Sequence, residues 1–253
     1  MNAAHILEGR EAKDRFVTPS SAWSELFDRL LLLLTILSLL ISCVLISPKK
    51  ELWVDEGYAL QVITDRSTPH LLRALANGVD GGMPLYYLIA HGWSLLFGST
   101  LLCLRLLTSL LICVGVLVLW NGMRRFYSAA AVAVGIPLTL LTSELLLSQN
   151  AEIRFYGLFF ACAALVIVLH SRLSEGQASP KLIIGAVLAN VALLLSHLFG
   201  VLYSGVGIAA LVFSDYRKGH LRWRLYAALL SSWLCAVAVA EADPENQRHR
   251  TTT

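Results

Sequence analysis

The sequence predicts an all-α, polytopic membrane bundle, and three observations carry that prediction. Of 253 residues, 57% are hydrophobic and only 15% charged, against about a quarter charged in an ordinary soluble domain. Uncharged runs close to the roughly twenty residues of a membrane span recur between Leu30 and Ala240. The basic residues lie between those runs and are uneven enough to orient them.

The same composition excludes other classes. Twenty Lys and Arg against seventeen Asp and Glu leave a formal charge of +3, too mild and too dispersed for a nucleic acid partner. Cys43, Cys103, Cys113, Cys162 and Cys235 sit in or beside apolar runs, with no C-x-x-C pair and no His at zinc spacing. Neither a disulfide framework nor a structural metal is encoded, and the cysteines read as small packing residues.

Taken in order, residues 1–25 form a polar cytoplasmic lead that mixes Arg10, Lys13 and Arg15 with acids. The run 30–46 is a span without an A-x-A-type cleavage site, hence a retained signal anchor. Residues 48–83 make the longest outer loop, acidic and with the turn cluster Asn77-Gly78 to Gly81-Gly82. Pro84 opens and Gly98 closes a self-contained helix, so 84–98 reads as interfacial. Runs at 106–123, 126–143 and 155–171 follow as spans.

The 33 uncharged residues 182–214 would make one helix of about 50 Å against a hydrocarbon core of about 30 Å. They divide into two shorter helices meeting near Ser196-His197 and Gly200. A last run covers 225–240, and the tail 241–253 is polar and reads as disordered. With 84–98 interfacial, twelve of the twenty basic residues fall inside, which satisfies the positive-inside rule. The result is a membrane module over 26–240 with seven spans and an inner amino terminus.

This topology brings three chemistry-bearing stretches to one outer surface. Asp55 and Glu56 are adjacent carboxylates just beyond the first span; a solvated acidic loop is the plain reading, a general base or divalent cation ligand the functional one. Arg154, before Phe155-Tyr156, is either a snorkelling arginine or a forked donor set for a phosphate. His197 is a packing histidine or, as an ionisable group within a membrane run, a functional one.

Four stretches resemble the GT-C superfamily of integral membrane glycosyltransferases, in its dolichyl-phosphate-mannose-protein mannosyltransferase-like group (glycosyltransferase family 39 and its lipopolysaccharide-core sugar transferase relatives). They are Leu52-Trp53-Val54-Asp55-Glu56-Gly57-Tyr58, Met83-Pro84-Leu85-Tyr86-Tyr87-Leu88 running into Trp93-Ser94-Leu95-Leu96-Phe97-Gly98, Arg105-Leu106-Leu107-Thr108-Ser109-Leu110, and Arg154-Phe155-Tyr156 with Ser196-His197-Leu198-Phe199-Gly200. The resemblance implies two juxtamembrane helices in the first outer loop, with Pro84–Phe97 the second. It also implies a hexosyl- or pentosyltransferase of cell envelope glycosylation in a bacterial inner membrane. Such an enzyme moves a sugar from a polyprenyl-phosphate donor to a protein, lipid or glycan acceptor.

In that scheme Asp55 is the general base, Glu56 assists or holds a divalent cation, and Arg154 contacts the donor phosphate with Tyr156 and His197 beside it. Asp80 and Tyr86 complete the expected substrate contacts. Relatives often carry His-Pro or a charge before Pro-Leu-Tyr-Tyr, whereas Gly81-Gly82-Met83 stands here and leaves Asp80 as the nearest acid. Relatives also run longer, so the resemblance implies a chain holding the amino-terminal half of the module, with activity and inactivity by itself both left open. The rival class is a transporter or lipid-binding membrane protein whose polar residues line a path without chemistry. A structural subunit, indifferent to Asp55 and Arg154, is a third.

Overall fold

The computed structural model describes residues 22–79 and 83–241. Asp80, most of the expected cytoplasmic lead and most of the polar tail lie outside them. Among the described residues the chain is helical throughout, with no strand. Helix α1 spans Ala22–Ile46, α2 Val54–Ile63, α3 Thr68–Ala76, α4 Pro84–Phe97, α5 Leu101–Met123 and α6 Ala129–Leu141. Then come α7 Glu144–Asn150, α8 Tyr156–Ser174, α9 Pro180–Ser196, α10 Gly200–Arg217, α11 Trp223–Leu230 and α12 Ser232–Glu241.

Three helical segments, Glu25–Ile46, Leu101–Met123 and Tyr156–Ser174, are long and apolar enough to cross a membrane. The pair α6 and α7, bent by 78°, makes a fourth if it is one span. Leu30, Leu33, Leu37, Ile41 and Leu45 of α1 are all exposed, a stripe that would drive association in water and is at home against lipid tails. The chain is thus built as a membrane protein. The seven expected spans do not all pass the same test: α9 has only 17 residues, and the segment 225–240 is divided between α11 and α12.

Local sequence accounts for the breaks. Ser128, Ser143 and Ser179 each cap a helix, their side chains accepting from the N–H of Ala131, Leu146 and Leu182. Gly98 ends α4 at φ +92°, a conformation that costs glycine nothing. At 14 residues, α4 is about 21 Å long and falls short of a span. The expected loop 48–83 is largely two more short helices, so the region holds three before α5. The division of 182–214 falls where expected, with α9 ending at Ser196 and α10 opening at Gly200.

The centre of the bundle is the pair α5 and α8, flanked by α9 and α10 on one side and by α1 on the other. Glycines let α5 and α8 approach. A Cβ on Gly157 would lie 2.3 Å from the Thr108 carbonyl oxygen, and one on Gly122 would lie 2.2 Å from Val168 Cγ2. Small residues serve membrane helices in this way because lipid supplies no hydrophobic drive to join them.

Polar ties fix both ends of the bundle. At one, Trp120 Nε1 donates to Asp28 Oδ1 at 3.2 Å and Arg124 pairs with Asp28 at 2.9 Å, joining α1 to α5. At the same end Arg222 grips Asp215 with two bonds of 2.7 and 2.8 Å and donates to the Leu173 carbonyl at 2.9 Å. Gly157→Ala should lower the thermal unfolding midpoint in detergent, by an overpacking cost of about 1–3 kcal/mol, because the obstacle is backbone. Gly135→Ala, with nothing within 4 Å of the added Cβ, should leave that midpoint unchanged or raise it.

Candidate functional site

Asp55 and Glu56 are the second and third residues of α2, and residues adjacent on a helix point about 100° apart. Their environments are accordingly opposite. The Glu56 side chain is 1% exposed and meets a fully buried Arg105 in a forked pair, Arg105 Nε donating to Oε1 at 3.1 Å and Nη2 to Oε2 at 2.9 Å. Glu56 Oε1 also accepts from Ile153 N–H at 2.8 Å, and Oε2 from Trp53 N–H at 3.4 Å. Arg105 Nη1 donates to the carbonyls of Ser47 at 2.6 Å and Lys50 at 3.2 Å.

This corrects the role read for Glu56. Both of its oxygens are taken by protein donors, which leaves none for a substrate or a cation. Among the described residues no group of three or more His, Cys, Asp or Glu converges as a metal site. Glu56 and Arg105 instead join the end of α1, the start of α2, the first turns of α5 and the 151–155 segment.

The Asp55 side chain is 67% exposed and lies 3.6 Å from Arg154 Nη2. Arg154 follows Ile153, so the buried pair sets its backbone, and its carbonyl also accepts from Thr108 Oγ1 at 3.2 Å. The guanidinium lies 5.2 Å from the Phe155 ring centre. On its other side opens a cavity of about 540 Å³ lined by Gln149, Tyr156 and His197 near Arg154, and by Leu39, Ile112 and Phe160 further in. Its size suits a small-molecule or lipid-chain ligand. The cavity is polar at one margin and apolar beyond, the division an amphiphile with an anionic head requires.

His197 stacks on Phe155, with ring centres 4.0 Å apart and planes at 22°, and Phe159 and Phe199 meet it edge-on. Its Nδ1 accepts from Phe199 N–H at 3.2 Å, so the neutral ring carries its proton on Nε2. Partial burial, then the Arg154 charge, lower its pKa below the usual 6.5, which keeps the ring neutral at physiological pH. Tyr156 stands in the cavity wall, its ring centre 4.8 Å from that of Phe155.

Arg154, Tyr156 and His197 thus share one cavity, and Asp55 stands beside Arg154 without lining it. Tyr86 does not join them: it is fully buried in the core, edge-on to Tyr87 at 5.5 Å, and is not placed to touch a substrate. Asp80 lies outside the described residues. In the sequence Arg105 stands out only as the head of the stretch Arg105–Leu110, and its structural part is not read there. The available signal was an arginine interrupting apolar sequence from Leu85 to Met123, since a charge in a membrane run requires a partner.

Comparison of the chain with protein-family models, curated proteins and solved structures found no match. Fold and site define an all-helical membrane protein with a charged, half-apolar cavity at one end of its bundle.

Removing one partner of the buried pair, by Arg105→Met or Glu56→Gln, should cost about 3–5 kcal/mol, because the survivor is stranded in low dielectric. Arg105→Met with Glu56→Leu should recover much of that loss, and Asp55→Asn should cost almost nothing; unfolding in micelles reads all four. His197 binds its proton more weakly folded than unfolded, so its contribution to stability is present above pH 6.5 and is lost as pH falls through the folded pKa. Thermal midpoints from pH 7.5 to 5 should therefore fall less in His197→Phe than in the unaltered chain.

Proposed function

We propose that the chain is a membrane glycosyltransferase of the GT-C type, moving a sugar from a polyprenyl-phosphate donor to an acceptor hydroxyl at the outer face of the membrane. The observation that carries this reading is the position of Arg154, between the exposed Asp55 carboxylate and the mouth of a cavity whose depths are apolar. An isoprenoid tail fits the apolar part, and the forked guanidinium suits the phosphate at its head. In this reading α1, α5, the α6–α7 pair, α8, α9, α10 and the α11–α12 pair make seven crossings. Helices α2 to α4 then lie at the outer surface.

The chemistry follows from the same placement. Asp55 takes the proton of the acceptor hydroxyl as that oxygen forms its bond to the anomeric carbon. The bond from that carbon to the phosphate oxygen breaks, and its electron pair leaves with the lipid phosphate. Arg154 stabilises the growing negative charge, with the His197 Nε2–H and Tyr156 hydroxyl as further donors. The tail stays in lipid throughout, which explains why such a reaction belongs in a membrane protein.

A second reading, a transporter or lipid-binding protein without catalysis, draws on the 78° break between α6 and α7. Membranes expressing the chain, supplied with radiolabelled polyprenyl-phosphate sugars, decide between them. Transfer should occur, and Asp55→Asn should lower it by about 10²–10⁴-fold, the span of a lost general base. Arg154→Ala should lower it by at least about 10²-fold. Retention of label without transfer, unaffected by Asp55→Asn, would favour the second reading.

A further inference from the structure

The cavity beside Arg154 continues beyond its apolar depths. A second cavity of about 540 Å³ lies between α8, α9 and α10 towards the opposite end of the bundle, and Ala163 and Tyr203 line both. On α8 the wall passes from Phe159 through Ala163, Val166 and His170 to Ser174. On α10 it passes from Tyr203 through Val206 and Ala210 to Ser214. Both series advance by three or four residues at a time, so each is one unbroken stripe along its helix. At the junction Ala163 contributes only a methyl group.

The polar groups that α8 brings to the second cavity are already engaged. Asn190 Nδ2 donates to His170 Nε2 at 3.0 Å, and the Gly207 backbone meets the Nδ1 edge of the ring. The hydroxyls of Ser171 and Ser174 are turned back to the carbonyls of Val168 and Ser171, at 2.8 and 2.7 Å. What remains is mostly carbon, from Val166, Leu193, Leu202, Val206 and Ala210. Such a wall suits a hydrocarbon chain and gives an ester or a headgroup nothing to hold.

Length narrows the choice of chain. The stripe runs about 10 Å from Tyr156 to Ala163 and about 16 Å further to Ser174, by the rise of the helix. Ser174 stands at the basic end of the bundle, where Lys218 donates to its carbonyl and Arg125 lies 3.9 Å from Glu175. By the positive-inside rule that is the inner end. The two cavities together therefore traverse most of the roughly 30 Å hydrocarbon core. An outer-leaflet acyl chain stops near the middle of that core, short of most of the second cavity. A chain whose head sits at Arg154 fills both cavities only if it is longer than one leaflet.

We propose that the two cavities form one groove along α8 and α10 that the donor's isoprenoid tail occupies from end to end, so that the protein selects long polyprenyl phosphates over short ones. The proposal rests on the reading of Arg154 as the seat of the donor phosphate. It adds a measure of tail length, taken by Val206 and Ala210 far from the phosphate.

Affinities of the full chain in nanodiscs for undecaprenyl phosphate and for farnesyl phosphate, whose short tail ends near Ala163, test the proposal. Expressing each as a mole fraction in the lipid cancels partition into the bilayer. Undecaprenyl phosphate should bind about tenfold more tightly, through the added packing contacts of its tail. Ala210→Trp and Val206→Trp, at exposed wall positions that the Arg154 cavity does not share, should each bring undecaprenyl phosphate down to about the farnesyl value. Arg154→Ala should weaken both probes. Equal affinity of the two probes for the unaltered chain, or a difference that survives both tryptophans, would overturn the continuous groove and leave the phosphate reading standing. Indifference of both probes to Arg154→Ala would overturn the phosphate reading and this proposal with it.

Discussion

The forked pair of Arg105 and Glu56 governs one end of this bundle because neither charge has water to fall back on. Desolvating two ions is expensive, and their attraction offsets that only when the remaining donors and acceptors are also satisfied. Here the backbone supplies the rest: the Ser47 and Lys50 carbonyls for the guanidinium, the Ile153 and Trp53 N–H groups for the carboxylate. Three stretches distant in sequence, residues 47–56, Arg105 and Ile153, are bound to one another as the condition for burying the pair.

The candidate site follows from that condition. Ile153 is held by Glu56, so Arg154 emerges at a set point, and the neighbouring Asp55 is turned outward by the same helical step that turns Glu56 inward. Two adjacent acids thereby divide their work, one organising the structure and one left at the surface beside a guanidinium. Below them the aromatic group of Phe155, Phe159 and Phe199 holds His197 at the cavity margin, at the point where α9 ends and α10 begins. A polar mouth over an apolar cavity is the result.

Much of this was legible in the sequence where a local rule applies. Helix α4 runs from Pro84 to the residue before Gly98, as its start and stop signals predict. The break at His197 follows from a run too long for one span. What could not be read depends on contacts between distant segments. Nothing local distinguishes Glu56 from Asp55 until Arg105 and Ile153 arrive, and nothing near Tyr86 announces that the core will close over it. The 78° turn after α6 falls at Thr142 and the Ser143 cap, where the uncharged run 126–143 ends, but nothing in that run announces the second short helix that follows it. The pairing of His170 with Asn190 likewise needs α8 and α9 side by side.

The central claim is that Arg154 receives a lipid phosphate while Asp55 stands ready beside it, and binding of a sugar-free polyprenyl phosphate to the chain in nanodiscs tests this without any turnover. Arg154→Ala should weaken that binding by about tenfold or more, as the loss of a charge-assisted fork requires. Asp55→Asn should strengthen it, because it removes both a competitor for the guanidinium and a negative charge from the phosphate's surroundings. Binding indifferent to Arg154→Ala, or weakened by Asp55→Asn, would contradict the account.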